Sequence, residues 1–355
     1  MRRLVIDSVV IDDSTDCYVI AEVGHNHGGD LDTCKAMFRA AKEAGANAVK
    51  LQKRDNRSLY TREMYEKPYE NENSYGATYG LHREALEFGR PEYEELQRYS
   101  KELGISFFST AFDVRSADFL EALDTPAYKI ASGDVKTIPL LQHVAHFGKP
   151  MILSTGGAPM DDVRRAVEAI LAINRQLCIL QCTAGYPAKF EELDLRVIET
   201  FRREFPECVI GLSSHDNGIA MAVAAYVLGA RVVEKHFTLN RAQKGTDHAF
   251  SLEPQGLRKM VRDLGRARVA MGDGTKRVHP REGAPIMKMG KKLVAARDLD
   301  AGTVLGPEHI AMKCPGDGLE PRFLEGLLGR TLKKPVREDE NLSFELVEPD
   351  GSVLQ

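Results

Sequence analysis

Residues 17–53 read CYVIAEVGHNHGGDLDTCKAMFRAAKEAGANAVKLQK, and their pattern decides the fold. The β-branched run Cys17–Val23 predicts a strand, and Leu31–Ala44 carries apolar residues at helical spacing. Asp30 stands where an N-cap belongs and Gly45 where a left-handed C-cap is wanted. A second β-rich run, Asn47–Lys53, follows at once. A strand, a helix and a strand joined this closely make a βαβ unit, whose strands are parallel. The unit recurs down the chain. ISFFSTAF (105–112), AYKIAS (127–132), PMILST (150–155), LCILQCT (177–183), VIGLSSH (209–215) and RVVEKHF (231–237) are further strand runs. Helical periods fill Tyr93–Leu103, Val163–Ile173, Leu195–Phe205, Ile219–Leu228 and Leu257–Met271, with Gly104, Gly148 and Gly229 as stops and Asp161 as another N-cap. Eight strands in strict βα order predict a closed (β/α)8 TIM barrel. An open doubly wound sheet is the rival, but no nucleotide-binding glycine fingerprint follows the first strand.

Outward from the barrel, MRRLVIDSVVID predicts a hairpin across its bottom. The catalytic barrel domain is expected over residues 1–275, a Pro- and Lys-rich linker over 276–292, and a small second domain of short strands and single turns over 293–347. Residues 54–90, between the second strand and its helix, far exceed the roughly two to six residues usual for such a loop. They hold Tyr60, Tyr65, Tyr69, Tyr75 and Tyr79, and they emerge on the catalytic face, which predicts a lid.

The chain of 355 residues is 43% hydrophobic and 28% charged, with a net charge of −4, which gives no electrostatic reason to expect a nucleic-acid partner. The one basic stretch, Lys276–Lys292, lacks the aromatics that would stack bases and reads as a solvated linker. No membrane partner is expected: Ala220–Ala230, the best apolar run, falls far short of the ~20 residues a bilayer needs. The N-terminus meets acids before an apolar region forms, unlike a signal peptide. The six cysteines form no CxxC pair, and Cys178 and Cys182 stand too far apart on one strand to bridge. Free thiols in a cytoplasmic protein are the expectation.

In a barrel of this kind chemistry sits at the C-terminal strand ends. Those ends carry Glu22, Lys50 with Gln52, Ser109 with Thr110, Lys129 with Ser132, Ser154 with Thr155, Gln181 with Thr183, Ser213 with His215, and Glu234 with His236. Strand parity puts Lys50 with Gln52, Ser213 with His215 and Glu234 with His236 on shared faces, and turns Lys235 away. His215 and His236 end neighbouring strands and can converge on one divalent ion, completed by oxygen ligands; the alternative is a hydrogen-bonded pair of core histidines. Lys50 and Lys129, buried at strand ends, require an anion partner. With Ser132, Ser154 and the Ser154-Thr155-Gly156-Gly157 turn they describe a phosphate or carboxylate pocket, against a Schiff-base lysine as the rival. Glu22 and Glu234 are acid–base candidates or ion-pair partners of those lysines. His25, His27, His82 and His248 are weaker candidates.

Several of these stretches together resemble the sialic acid (N-acetylneuraminate) synthase family with its C-terminal antifreeze-like (β-clip, SAF) domain. The resemblance runs through IAEVGHNHGGD (20–30), VKLQ (49–52), KIASGD (129–134), QCTAGYP (181–187), GLSSH (211–215), EKHFTL (234–239) and GTDH (245–248), with Leu293–Leu346 matching the SAF part. It implies a transferase of carbohydrate biosynthesis that condenses phosphoenolpyruvate with the open-chain aldehyde of N-acetylmannosamine, releasing phosphate by C–O cleavage to give a nine-carbon 2-keto acid. On that resemblance Lys50, Thr110, Lys129, Ser132, Ser154 and Ser213 hold phosphoenolpyruvate, while Glu22, Gln52, Tyr186 and Asp247 face the sugar. His215 and His236 hold a divalent metal, Mn²⁺ first with Mg²⁺, Co²⁺ or Zn²⁺ as alternatives, and Glu234 places the water that attacks C2. A homodimer with exchanged C-terminal domains is implied as well. The stretch 68–88, PYENENSYGATYGLHREALEF, looks closer to the animal-type branch, which uses the 6-phosphate of the sugar. Many bacterial members carry Arg-Pro-Gly in the SAF domain where this chain has Cys314-Pro315-Gly316 after Lys313, so that arginine contact to the sugar is absent. The alternatives are an N-acetylneuraminate-9-phosphate synthase, a legionaminic- or pseudaminic-type nonulosonate synthase, a Schiff-base lysine aldolase, and a non-catalytic sugar-binding protein that kept the fold.

Overall fold

The structure, a computed structural model, describes residues 2–349. The first strands, β1 (Arg3–Ile6) and β2 (Val9–Asp12), pair antiparallel through a turn in which Asp7 takes φ +50°. Their buried Leu4, Ile6 and Ile11 pack with Tyr18, Ile20, Phe108, Ile152, Leu180, Val209 and Val232, filling the barrel bottom with apolar side chains.

The barrel strands are β3 (Tyr18–Gly24), β4 (Ala48–Lys53), β5 (Ser106–Ala111), β6 (Tyr128–Ile130), β7 (Met151–Ser154), β8 (Leu177–Cys182), β9 (Val209–Ser214) and β10 (Val232–His236). They are parallel and close in the order β10-β3-β4-β5-β6-β7-β8-β9, a TIM barrel. β9 and β10 approach so closely at Gly211 that a Cβ there would collide with the Val232 carbonyl oxygen and Leu180. Along β3, β4 and β5 the inward positions change from apolar below to charged or polar above: Ile20 then Glu22, Ala48 then Lys50, Phe108 then Thr110. The outward positions join the helices in the main core, as Phe107 does with Phe38 and Tyr93.

The helix termini follow the sequence reading with one correction. Asp30 caps the helix Leu31–Glu43 by accepting from Thr33 N at 2.7 Å, and Gly45, Gly104, Gly148 and Gly229 all take positive φ. Asp161 is no N-cap: the helix Met160–Leu171 begins after Pro159, so Asp161 lies in its first turn, where it pairs with Arg164 at 2.8 Å. Its charge still favours the positive end of the helix dipole.

The long segment after β4 folds into short helices, Asn56–Leu59, Arg62–Glu66 and Tyr79–Glu84, whose N-caps are Asp55, Thr61 and Thr78. It reaches past the end of β3 to the loop after β10: Tyr75 Oη donates to the Lys244 carbonyl at 2.7 Å, and Gly245 N donates to Asn73 Oδ1 at 2.9 Å. All six cysteines are free thiols. Among the described residues, no helix is long and apolar enough to cross a membrane.

A second unit begins at Asp273. Part of the stretch expected as linker is helical, Gly283–Met289, with Ile286, Met287 and Met289 exposed. Strands β11 (Lys292–Ala295) and β12 (Ile310–Lys313) then pair antiparallel over a core of Leu293, Leu299, Leu305, Leu327, Leu332, Val336, Leu342 and Val347.

Candidate active site

A cavity of about 810 Å³ opens at the C-terminal ends of the barrel strands. Glu22, Lys50, Gln52, Thr110, Lys129, Ser132, Ser154, Tyr186, Ser213, His215, Glu234, His236 and Asp247 all line it, so the residues singled out from the sequence meet in one place. Other polar strand-end residues do not. Ser109 turns outward to Tyr93 Oη at 3.0 Å, Thr155 donates to the Leu180 carbonyl at 2.8 Å, and Gln181 and Thr183 line a separate cleft. Lys235, as parity requires, points away and is buried against Asp216, 3.0 Å from its Oδ1.

At the floor, two ammonium groups meet two carboxylates. Lys50 Nζ lies 2.5 Å from Glu22 Oε2 and donates to Thr110 Oγ1 at 2.8 Å. Lys129 Nζ donates to Ser154 Oγ at 2.6 Å, and Glu234 Oε1 stands 3.7 Å from both lysines. Ser213 Oγ donates to Glu234 Oε1 at 3.3 Å, while Glu234 Oε2 is buried with no hydrogen-bond partner. Burial raises the Glu22 pKa against the pull of Lys50, and the charge of Glu234 pushes it the same way. For Glu234 burial is outweighed by Lys129 and Lys50, which hold its carboxyl below the usual range. Burial also lowers the Lys129 ammonium. Ser132 Oγ accepts from Gly156 N at 2.9 Å, which ties the glycine turn after β7 to the loop after β6.

Beside this floor the rings of His215 and His236 lie 5.3 Å apart. His215 Nδ1 donates to the Thr183 carbonyl at 2.9 Å, leaving Nε2 as the bare nitrogen. His236 Nδ1 is buried without a hydrogen-bond partner, and Asp247 Oδ2 is 3.7 Å from it. Burial lowers the His236 pKa, so the ring is held neutral, the form that binds metal. Among the described residues no group of three or more His, Cys, Asp or Glu gathers around one point. The bare His215 Nε2 and the unpartnered His236 ring are thus the imidazole donors that the site could offer a divalent ion, any further ligands being oxygen from water or substrate. Tyr186, 4.3 Å between ring centroids from His215, and Phe250, 5.0 Å from His236, wall that side.

Cys182, Arg54 and Arg83 are among the lining residues that the sequence reading did not single out. Cys182 faces inward, its Sγ 4.0 Å from His215 Nδ1 and 3.5 Å from Ser132 Oγ. Arg54 continues the face of Lys50 and Gln52 beyond the end of β4, and period-two spacing extended by one step would have found it. Arg83, from the long segment, has no such periodic signal.

Family models match two parts of the chain: NeuB family over residues 37–276 and SAF domain over residues 292–348. The chain is 40% identical over 340 residues to the N-acetylneuraminate-9-phosphate synthase of Homo sapiens, covering 96% of this chain and 95% of that protein. It is 33% identical to the N,N'-diacetyllegionaminic acid synthase of Legionella pneumophila, over 94% of this chain and 96% of that one. Among solved structures, the N-acetylneuraminic acid synthetase of Leptospira borgpetersenii in complex with citrate superposes with a TM-score of 0.70 at 30% identity, covering 80% of this chain and 95% of that chain.

Proposed function

The chain belongs to the NeuB family, a family of sialic acid and related nonulosonate synthases, and from that premise we propose that it condenses phosphoenolpyruvate with the open-chain aldehyde of an N-acylated hexosamine. The observation that carries this reading is the floor quartet of Lys50, Lys129, Glu22 and Glu234 next to the His215–His236 pair in one cavity.

Lys50, Thr110, Lys129, Ser132, Ser154 and Ser213 bind the phosphate and carboxylate of phosphoenolpyruvate. All six line the cavity, and hydrogen bonds and ion pairs within the floor fix their positions, so little reorganisation remains at the moment of reaction. Glu22, Gln52, Tyr186 and Asp247 bind the sugar; Gln52 Nε2 donates to Glu22 Oε1 at 2.7 Å, which fixes the carboxylate toward the substrate's hydroxyls. A divalent ion held by His215 and His236, with Mn²⁺ the first choice, supplies Lewis-acid polarisation of the aldehyde oxygen when bound. C3 of phosphoenolpyruvate forms the new C–C bond to the aldehyde carbon, positive charge develops at C2, and water adds there. Glu22 and Glu234 lie beside that charge, and the unpartnered Glu234 Oε2 is the acceptor that orients the water. The C2–O bond then breaks, and phosphate leaves with the bridging oxygen.

Lys50 and Lys129 both lie within ion-pair distance of carboxylates, which favours anion binding over Schiff-base chemistry. Borohydride added during turnover is expected to trap no substrate adduct on either lysine. Of the sugars, the sequence reading put unphosphorylated N-acetylmannosamine first. The human relative's name and the character of residues 68–88 favour its 6-phosphate, and that reading is carried forward. The homodimer with exchanged C-terminal domains and a cytoplasmic location complete the proposal, the first being checked by sedimentation of the whole chain.

The test is to incubate the purified protein with Mn²⁺, phosphoenolpyruvate and either sugar, following phosphate release and product mass. A nine-carbon keto acid from either sugar supports the reading. Phosphate release with pyruvate as the only organic product, or no release with either sugar, overturns it.

A further inference from the structure

Arg54 and Arg83 line the outer part of the same cavity from different places in the chain, one just past β4 and one in the helix Tyr79–Glu84. Arg54 is 7% exposed. Its guanidinium stacks on Phe112, 3.7 Å from the ring centroid, and its Nη2 donates to Gln52 Oε1 at 2.8 Å. Arg83 is anchored through Tyr79 Oη, which accepts from Nε at 3.1 Å and from Nη2 at 2.9 Å. Between the two guanidinium groups stands one imidazole: Arg54 Nη1 is 3.3 Å from His25 Nε2, and Arg83 Nη1 is 3.3 Å from His25 Nδ1.

That arrangement is short of acceptors. A neutral imidazole offers one acceptor nitrogen and a protonated one offers none, so at least one of the two arginine contacts to His25 is always unsatisfied. Burial and the two arginines hold the His25 pKa well below its ordinary value, so the ring stays neutral. Among the described residues, neither guanidinium has a carboxylate oxygen within ion-pair distance. Glu87, on the same wall, is taken by Lys53 Nζ at 3.0 Å and faces His25 at 3.5 Å, and Asp247 attracts Arg83 only through space. Two fixed positive charges therefore line the cavity without a carboxylate of their own, and at least one N–H between them and His25 lacks an acceptor.

We propose that Arg54 and Arg83, with His25 held between them, form a second anion subsite, which takes a phosphate monoester at the far end of the sugar. This rests on the proposed condensation and deepens it by naming what selects the phosphorylated substrate. The charge matches, since a phosphate monoester carries close to two negative charges at neutral pH and a carboxylate only one. The spacing matches as well. Lys50 and Arg54 are four residues apart on one face, a rise of roughly 13 Å at ~3.3 Å per residue, enough to seat phosphoenolpyruvate and an extended aldose between the two cationic ends.

The test compares kcat/KM for N-acetylmannosamine 6-phosphate and N-acetylmannosamine in the wild-type protein and in Arg54→Gln and Arg83→Gln. The wild type is expected to prefer the phosphosugar. Each variant is expected to lose on the order of 10–100-fold more on the phosphosugar than on the free sugar, chiefly through KM, with Arg54→Lys and Arg83→Lys keeping part of the preference. Equal losses on both sugars, or a wild type without preference, overturn the subsite. Calorimetry with the reduced, aldehyde-free sugar phosphate separates this from failure of the condensation. Tighter binding of the phosphorylated alditol than of the plain alditol, lost in Arg83→Gln, supports the subsite even where no product forms; equal binding overturns it. An analogue with a 6-carboxylate that binds as tightly as the phosphate contradicts the phosphate assignment.

Discussion

The cavity has two cationic ends that are balanced in opposite ways. At the floor, Lys50 and Lys129 are 2% and 3% exposed and each lies within 4 Å of a carboxylate from Glu22 or Glu234. At the rim, Arg54 and Arg83 share a single neutral imidazole and have no acid within ion-pair distance. A lysine ammonium is a compact, strongly hydrated charge whose burial demands a counter-charge in the protein itself. A guanidinium is planar and more weakly hydrated, and stacking on Phe112 keeps it in place while its edge stays available. The floor is therefore a permanent ion network into which substrate must fit, whereas the rim is an incomplete one that a ligand completes.

The contrast is broken most severely between the two ends, where His236→Ala is expected to abolish turnover and lower the divalent metal retained after dialysis, measured by elemental analysis. Turnover with unchanged metal content would remove His236 from the metal site. At the floor, Lys129→Ala removes one of the two ammonium neighbours of Glu234 and the donor to Ser154, and is expected to reduce kcat/KM for phosphoenolpyruvate by about 100- to 1000-fold, with far less change in KM for the sugar. A loss seen mainly on the sugar side would mean that floor and rim are assigned backwards.

Acid probes the wall behind the rim, where the buried His27 ring lies 6.0 Å from that of His25. Burial lowers the His27 pKa from 6.5 to about 3, so between those values the unfolded chain binds a proton that the folded chain refuses. The stability contributed by neutral His27 is present above pH 6.5 and is lost as pH falls toward 3. Urea midpoints are expected to drop over that window, and to drop less steeply in His27→Gln; identical slopes would contradict the account. The smallest effect belongs to the strap above the rim. Tyr75→Phe removes the 2.7 Å bond to the Lys244 carbonyl and is expected to raise KM for the sugar about 5-fold, leaving KM for phosphoenolpyruvate nearly unchanged.

These ends were not equally legible in the sequence. Alternation of strand and helix is a local property, so residues 17–53 announce the parallel barrel, and inward residues of consecutive strands come at predictable places. That is why the meeting of Glu22, Lys50, Thr110 and Lys129, contributed by separate strands, is legible in the sequence. Polarity alone was a poorer guide to direction. Ser109 is polar yet faces the helices, while the thiol of Cys182 faces the cavity. Arg54 sits one residue beyond β4, where strict alternation no longer has to hold, though here it does. Arg83 was invisible because its place depends on how residues 54–90 fold back over the barrel, which no period records. The helix Gly283–Met289 was missed for a related reason: its apolar residues stay exposed within the described unit, and a flanking run of Lys, Arg and Pro dominates the pattern.

The most direct test of this two-ended cavity is a crystal structure of the protein with phosphoenolpyruvate and the reduced 6-phosphate of N-acetylmannosamine, which has no aldehyde to react. Two phosphates are expected, one within hydrogen-bond reach of Lys129 and Ser154 and the other held by Arg54 and Arg83. A sugar phosphate bound on the floor lysines, or one pointing to solvent with both arginines unliganded, would contradict it.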